Sequence, residues 1–306
     1  MRPNITWGVI DGIIDSDFPK VPEIIVFQTS SADVAWIPRE GDIDRFYVKM
    51  ANKNFDYTDV LFKINRALHP HQLRFKKVIW FSRFSVQESV AEQFSASERV
   101  FLVGDAAHIH SVNGGQGLNT GLADAVNLVW KLNMHIKFGA NSNILSSYEQ
   151  ERRKIALDVI KSSGALVRST QHTEGDLHAI NYVKLIKKYA GYITGMGIHY
   201  QSHPLKGQRL HDFVLSNAGA SNRIYQLLDY SKFTLLIFSA KKIFLPAKPY
   251  LQVIIIGKRK NSSNYWTKFN FYKNCAILVR PDSFIKKVIP LAQLQAINWD
   301  NLCLYN

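Results

Sequence analysis

Over the first 85 residues, short hydrophobic runs separated by polar turns mark strand-rich chain. Ile24–Phe27, Val34–Ile37 and Arg45–Val48 are β-prone runs, separated by the turn-forming stretches Ser30-Ser31 and Glu40-Gly41-Asp42. The opening residues around Trp7–Asp11 read as a further strand entered midway. Asp56–Leu68 has helical spacing and predicts a short helix that stops before His69-Pro70, because a residue ahead of proline avoids helical backbone. After residue 86 the period lengthens. Arg99–Val103 is an apolar run closed by Gly104-Asp105 and predicts a buried strand. From near Gly117, the residues Leu118, Leu122, Ala125, Val129, Leu132 and Ile136 recur at spacings of three and four, predicting a helix that buries this face. Ser146 and Glu149 fit a capping box at the head of a second helix, running on toward Ser163-Gly164. Beyond Pro204 and Gly207, strand-like runs such as Phe233–Phe238 and Val253–Ile256 alternate with short helices. The pattern predicts a mixed α/β (α+β) chain in three parts: a β-rich part over 1–85, a mainly helical part over 86–204, and a small α/β domain over 205–306.

Composition narrows the class. Hydrophobic residues make up 46% and charged residues 20% of the 306, a globular balance. The two cysteines, Cys275 and Cys303, are too few for a disulfide framework and suggest a reducing, cytoplasmic setting. No apolar run has bilayer-spanning length, and the first residues lack the apolar centre of a signal peptide. The net charge is +14, and Ser231–Asn306 holds twelve Lys/Arg against two acids, or +10 of it. These lysines are scattered among strand-like runs rather than massed, so they read as a solvated surface and not as a nucleic-acid or lipid site.

Candidate chemistry concentrates in Arg99–Leu132. A strand delivers Asp105 to its end, and Gly104 lets the backbone approach a ligand. The loop Gly114-Gly115-Gln116-Gly117 then opens a helix whose first N–H groups and partial positive charge suit an anionic or electron-rich ligand. A ligand with hydroxyls at one end and an anion-forming ring at the other would fit, and a flavin has that description. His108-x-His110 and His69-x-His71 have no third ligand close in sequence, so no metal site is assigned.

This stretch resembles the second FAD-binding motif of the class A flavoprotein monooxygenases, the aromatic hydroxylases. The resemblance implies that Gly104, Asp105, His108, Val112, Gly115, Gln116, Gly117, Leu118 and Asn119 contact the cofactor, with Asp105 on the ribityl chain. Asp124, Asn127, Trp130 and Lys131 match the rest of the signature, which is largely structural. The segments Trp7–Asp11, Asp17–Pro19, Ile37–Glu40 and Arg45–Val48 are similar to the substrate-domain strands of the phenol 2-monooxygenase branch. By motif position, Arg39 and Tyr47 then face the phenol: a tyrosine can assist its deprotonation, and an arginine can stabilise developing negative charge. Residues 207–210 and 277–282 resemble that branch's thioredoxin-like C-terminal domain, which is thought to serve dimerisation, and no Cys-x-x-Cys is present.

The resemblance thus implies part of an FAD-binding monooxygenase fold with a β-rich substrate subdomain and a thioredoxin-like domain. It implies FAD and NADPH as cofactors, hydroxylation of a small phenolic substrate, and a homodimer as the assembly. Two departures stand out. No Gly-x-Gly-x-x-Gly follows a strand, so the unit that holds the ADP half of FAD is expected to precede residue 1 or to come from a partner. Val112 stands where the family usually has proline. The alternatives are a non-catalytic remnant or subunit that dimerises, and a basic interaction module.

Overall fold

In the computed structural model, residues 6–29, 33–85, 88–97, 99–110, 116–169, 177–200, 206–217, 220–239, 243–256 and 274–305 are described. Contacts divide the chain into one unit built on Met1–Glu88 and a second built on Ser89–Gln171 and Ala179–Asn306.

The first unit is a sheet carrying one helix. Strands β1 (Thr6–Ser16), β2 (Ile25–Gln28), β3 (Asp33–Pro38) and β4 (Ile43–Met50) are followed by helix α1 (Tyr57–Leu68) and strand β5 (Leu73–Ser85). The sheet runs β2-β3-β4-β1-β5, and every neighbour is antiparallel. Successive residues of a strand face opposite sides, so β4 alternates between more and less buried positions. Phe46, Val48 and Met50 join Ile10, Val34 and Trp36 in the core beneath Val60, Ile64 and Leu68 of α1. A side chain at Gly8 would run into Val60 at 2.5 Å, so the glycine lets the helix lie close on β1. Asp56 caps α1 by accepting from the Thr58 and Asp59 amides at 2.8 and 3.1 Å, and the Asp59 carboxylate returns to the Asp56 amide at 2.9 Å. Strand β5 went unread in the sequence. It is the edge strand beside β1, and its solvated lysines 76 and 77 hide its period.

The second unit opens with the short strands β6 (Ser89–Val90), β7 (Ser95–Ala96), β8 (Val100–Phe101) and β9 (His108–Ile109). The expected Arg99–Val103 strand is thus reduced to two residues paired with β7. Helix α2 (Gly117–Phe138) ends on left-handed Gly139. Helix α3 (Asn143–Ser169) starts ahead of the expected Ser146, where the Asn141 side chain accepts from the Asn143 amide at 2.9 Å. Helix α4 (Leu177–Ile193) leads to the hairpin β10 (Val214–Asn217) and β11 (Ala220–Arg223), then to the short helix α5 (Ile224–Leu227). Strands β12 (Phe233–Phe238), β13 (Leu251–Ile256), β14 (Cys275–Val279) and β15 (Ile285–Pro290) form a sheet in the order β13-β12-β14-β15. Strands β12 and β13 are parallel, and β14 is antiparallel to both β12 and β15. One face of this sheet packs on Trp130 and Met134 of α2 and the other on Leu210 and Ile224.

Helix α2 reverses the expectation drawn from its apolar residues. Leu118, Leu122, Val129 and Ile136 are 75%, 56%, 61% and 77% exposed, whereas Thr120, Asp124, Asn127 and Lys131 are buried with Leu128, Trp130 and Met134. The polar side chains face inward because charged partners on α3 and around residue 280 meet them there. Among the described residues, no helix is long and apolar enough to cross a membrane.

Candidate functional site

At the end of β8 the backbone turns through a single 3₁₀ turn, Gly104–Ala106, with Gly104 at φ +60°. This conformation strains other residues and favours glycine. Opposite it lies Gly121 in the first turns of α2, where an added side chain would meet the Gly104 Cα at 3.3 Å. Two glycines therefore bring the turn against the helix. Asp105, at the middle of the turn, is exposed and makes no hydrogen bond or ion pair with another described residue.

Asp124 fastens this arrangement from within. It is fully buried, and its Oδ2 accepts from the Gly104 amide at 3.2 Å and from His108 Nε2 at 2.7 Å. Its Oδ1 accepts from Arg152 Nε on α3 at 2.6 Å. Burial pushes the Asp124 carboxyl up, but the His108 bond and the Arg152 charge outweigh it and hold the group below the usual range. Arg152 also donates to the Tyr200 hydroxyl at 3.0 Å and the Thr120 carbonyl at 3.3 Å. His108 is thereby turned inward, stacked on Phe94 with ring centroids 5.9 Å apart. It acts on the loop through Asp124.

One turn further along α2, Asn127 and Lys131 meet Glu151 at 2.7 and 3.0 Å. Arg280 grips the same carboxylate at 2.6 and 2.8 Å and Asp282 at 2.9 and 2.6 Å. Burial raises the Glu151 carboxyl, yet the Arg280 and Lys131 charges bring it down to about 2. Burial lowers the Lys131 ammonium to about 8 in spite of Glu151. Burial likewise pushes the Tyr200 hydroxyl up to about 12, so it stays neutral while it accepts from Arg152. The partners Glu151, Arg152, Arg280 and Asp282 were not singled out in the sequence. The signal available there was the spacing of Asp124, Asn127 and Lys131, three polar residues on one helical face.

Helix α2 starts without a side-chain cap. Gln116 precedes it; its side chain is buried and its Nε2 has no hydrogen-bond partner among the described residues. A buried donor left open is costly unless a ligand acceptor meets it. Gly117 is half-buried, while Leu118 and Asn119 are exposed. Gln116 and Asn119 line a cavity of about 420 Å³ together with Thr120, Arg152 and Ile155. Val112 and Gly115 lie outside the described residues. A free carboxylate beside glycine backbone, an open buried amide and an uncapped helix start are donor and acceptor types that fit a flavin's hydroxyls and ring heteroatoms.

The first unit holds a second cluster, on the sheet face opposite α1. Asp11 pairs in register with Arg45, and Val9 with Tyr47. Asp11 is nearly buried and takes a two-pronged grip from Arg45 at 2.7 Å on each oxygen, and a bond from Arg39 Nη1 at 3.2 Å. The Asp11 bonds outweigh burial and raise the Arg45 guanidinium further above its ordinary value, so it stays charged. It lies 5.9 Å from the Tyr47 ring centroid, with Nη1 3.5 Å from the Tyr47 hydroxyl, and 5.5 Å from the Trp80 ring. Arg39 and Tyr47 are thus joined through Asp11 and Arg45, two residues that motif position alone did not assign.

A family model described as FAD binding domain matches residues 2–163. A phenol 2-monooxygenase of Aspergillus fumigatus is 29% identical over 263 residues, covering 76% of this chain and 44% of that protein. A 3-hydroxybenzoate 4-monooxygenase of Comamonas testosteroni is 29% identical over 248 residues, covering 72% of this chain and 39% of that protein. The chain therefore spans less than half the length of these curated relatives. The solved structure of an anhydrotetracycline hydroxylase from Streptomyces rimosus matches with a TM-score of 0.69 at 24% identity, over 99% of this chain and 62% of that one. The fold is shared.

Proposed function

The chain belongs to the FAD binding domain family, and from that premise we propose that it is the flavin- and substrate-contacting part of an FAD-dependent, NADPH-using monooxygenase that hydroxylates a phenolic substrate. The observation that carries the reading is the Gly104-Asp105 turn held against α2 by Gly121 and Asp124. Bound FAD, once reduced by NADPH, supplies the electrons that activate O2. The chain's own residues bind and orient. Asp105 accepts hydrogen bonds from the cofactor's hydroxyls, and the backbone of Gly104 keeps that approach open. Gln116 and the amides of Gly117, Leu118 and Asn119 would meet the electron-rich ring end. His108 positions the Gly104 turn through Asp124.

On the substrate side, Tyr47 orients the phenol oxygen and takes part in moving its proton, with the Arg45 guanidinium 3.5 Å from its hydroxyl. Arg39 stabilises developing negative charge, with Asp11 fixing its position. The substrate class follows the names of the relatives, which act on phenol and 3-hydroxybenzoate. The adenosine half of FAD would be held by a β-α-β segment, joined to this chain or supplied beside it. What supports this is the exposed apolar stripe of α2, which in an α/β layer is normally covered. Residues 205–306 form a thioredoxin-like domain, supported by a parallel strand pair extended by an antiparallel one. The setting is cytoplasmic.

The test is the visible absorption spectrum of the purified chain after addition of FAD and removal of the excess. A retained, shifted flavin band that is lost in Asp105→Asn is expected. Absence of any retained flavin, with and without an added dinucleotide-binding segment from a relative, would overturn the reading. It would favour a non-catalytic subunit that associates through the same α2 face or through residues 205–306.

A further inference from the structure

A second cavity lies among α2, α3, β15 and the turn around Leu302, and it shares Tyr200 with the cavity lined by Gln116 and Asn119. Its volume is about 580 Å³, and none of the described residues from 104 to 119 lines it. Its walls come from Trp130 on α2, Ile144 and Glu151 on α3, β15, and the last turn around Leu302. Among the described residues, its charged lining is Lys206, Arg280, Lys286 and Lys287 against the single carboxylate of Glu151.

That carboxylate is already engaged. Glu151 receives Arg280 through two bonds, Lys131 through one and Asn127 through one. The rest of Arg280 is spent on Asp282. The Asp300 carboxylate, the remaining acid of this region, is held by Lys248 and Tyr250. Lys286, on β15, is left with a ring: its ammonium is 5.4 Å from the Phe233 centroid. It makes no ion pair with a described carboxylate, and burial lowers its ammonium to about 8. The buried thiol of Cys303 stands nearby and is pushed up to about 12 by burial, so it is neutral and offers no countercharge. Lys286 is half-buried, so its ammonium is partly stripped of water with no described carboxylate paired to it, and an anion arriving from outside would balance it. Of the two lining lysines that pair with no described carboxylate, Lys287 is exposed and Lys286 half-buried, and one half-buried cation suits a single negative charge. The walls beside it, Trp130, Ile144 and Leu302, suit an apolar body.

We propose that this cavity is a binding site for a small organic carboxylate, its anion taken by the Lys286 ammonium and its apolar body laid against Trp130, Ile144 and Leu302. The site is separate from the Asp105 turn and does not rest on the monooxygenase reading. The experiment is isothermal titration calorimetry of the purified chain with benzoate, and with inorganic phosphate as the probe of charge alone. Benzoate is expected to bind at least tenfold more tightly than phosphate and to weaken at least tenfold in Lys286→Gln. Ile144→Trp, which fills the cavity without touching charge, is expected to abolish binding. Thermal midpoints for both variants within a few degrees of the parent keep a folding defect apart from a lost site. Asp105→Asn and Arg39→Gln are expected to leave benzoate affinity within twofold. No heat with millimolar benzoate, equal affinity in Lys286→Gln, or a loss that follows Arg39→Gln instead would overturn the proposal.

Discussion

Asp124 carries the sharpest test of how the chain holds its candidate site. Its carboxylate is wholly buried and is shared by the Gly104 amide, His108 and Arg152, whose guanidinium is buried with it. In Asp124→Asn the shape is kept and the charge is lost. Arg152 then keeps the amide oxygen, the Tyr200 hydroxyl and the Thr120 carbonyl, none of which is an anion, and the amide NH2 turned toward Gly104 leaves that N–H without its acceptor. Breaking one side of a buried ion pair costs about 3–5 kcal/mol, because the other charge stays in a poor solvent. Folded chains are stable by only about 5–15 kcal/mol in all, so the variant should shift the urea midpoint clearly at an unchanged slope. Arg152→Met should cost a similar amount. The double variant removes both charges, and its cost should fall short of the sum by at least about 2 kcal/mol. Circular dichroism of the four proteins in urea measures this cycle. Single costs below about 1 kcal/mol, or single costs that add within about 0.5 kcal/mol, would refute the view that this pair ties α2 to α3. Under conditions where Asp124→Asn still folds, the freed Gly104 amide should lower FAD affinity at least tenfold.

Three further outcomes follow from named contacts. Glu151 is held at about 2 against an ordinary 4.5, so its contribution is complete above pH 4.5 and fades as pH falls from there through 2; urea midpoints taken from pH 7 down to pH 3 should drop more steeply in the parent than in Glu151→Gln, and parallel curves would contradict the assignment. Gly121→Val, which sets a branched side chain against the Gly104 Cα, should cost about 1–3 kcal/mol and weaken flavin retention, and a variant that keeps both would show that the turn tolerates distance. Val129→Lys with Ile136→Lys changes two side chains that are 61% and 77% exposed, so it should reduce self-association in sedimentation and the fluorescence of an apolar dye while moving stability by less than about 0.5 kcal/mol; an unfolded double variant would mean the stripe is buried in solution.

The parts of this chain that the sequence makes legible are those whose physics is local. Strands β2 to β4 announce themselves as β-prone runs between turn residues, α1 by the proline behind it, and the Gly104-Asp105 turn by a glycine suited to its backbone. The parts that stayed hidden depend on pairing over distance. Arg280 and Glu151 are 129 residues apart, and Asn127 and Asp282 are 155 apart. Asp11 and Arg45 become a unit only through the register of β1 against β4. Local spacing carries no trace of such partners.

Helix α2 shows why the same spacing can mislead. Amphipathic period fixes that a helix has two faces but not which one turns inward, and apolar residues facing in is only the commoner answer. Here Asp124, Asn127 and Lys131 are inside because α3 and the segment around Arg280 supply opposite charges at bonding distance. A buried ionic face of this kind needs every partner in register, which fixes how α2, α3 and the last sheet meet. The apolar face is then left exposed, and it runs from Leu118, at the helix start, to Ile136. One helix thus has its rigid side set by charge and its sticky side set by shape. A segment completing the FAD site would be drawn to the second by apolar area and would find the first already in order.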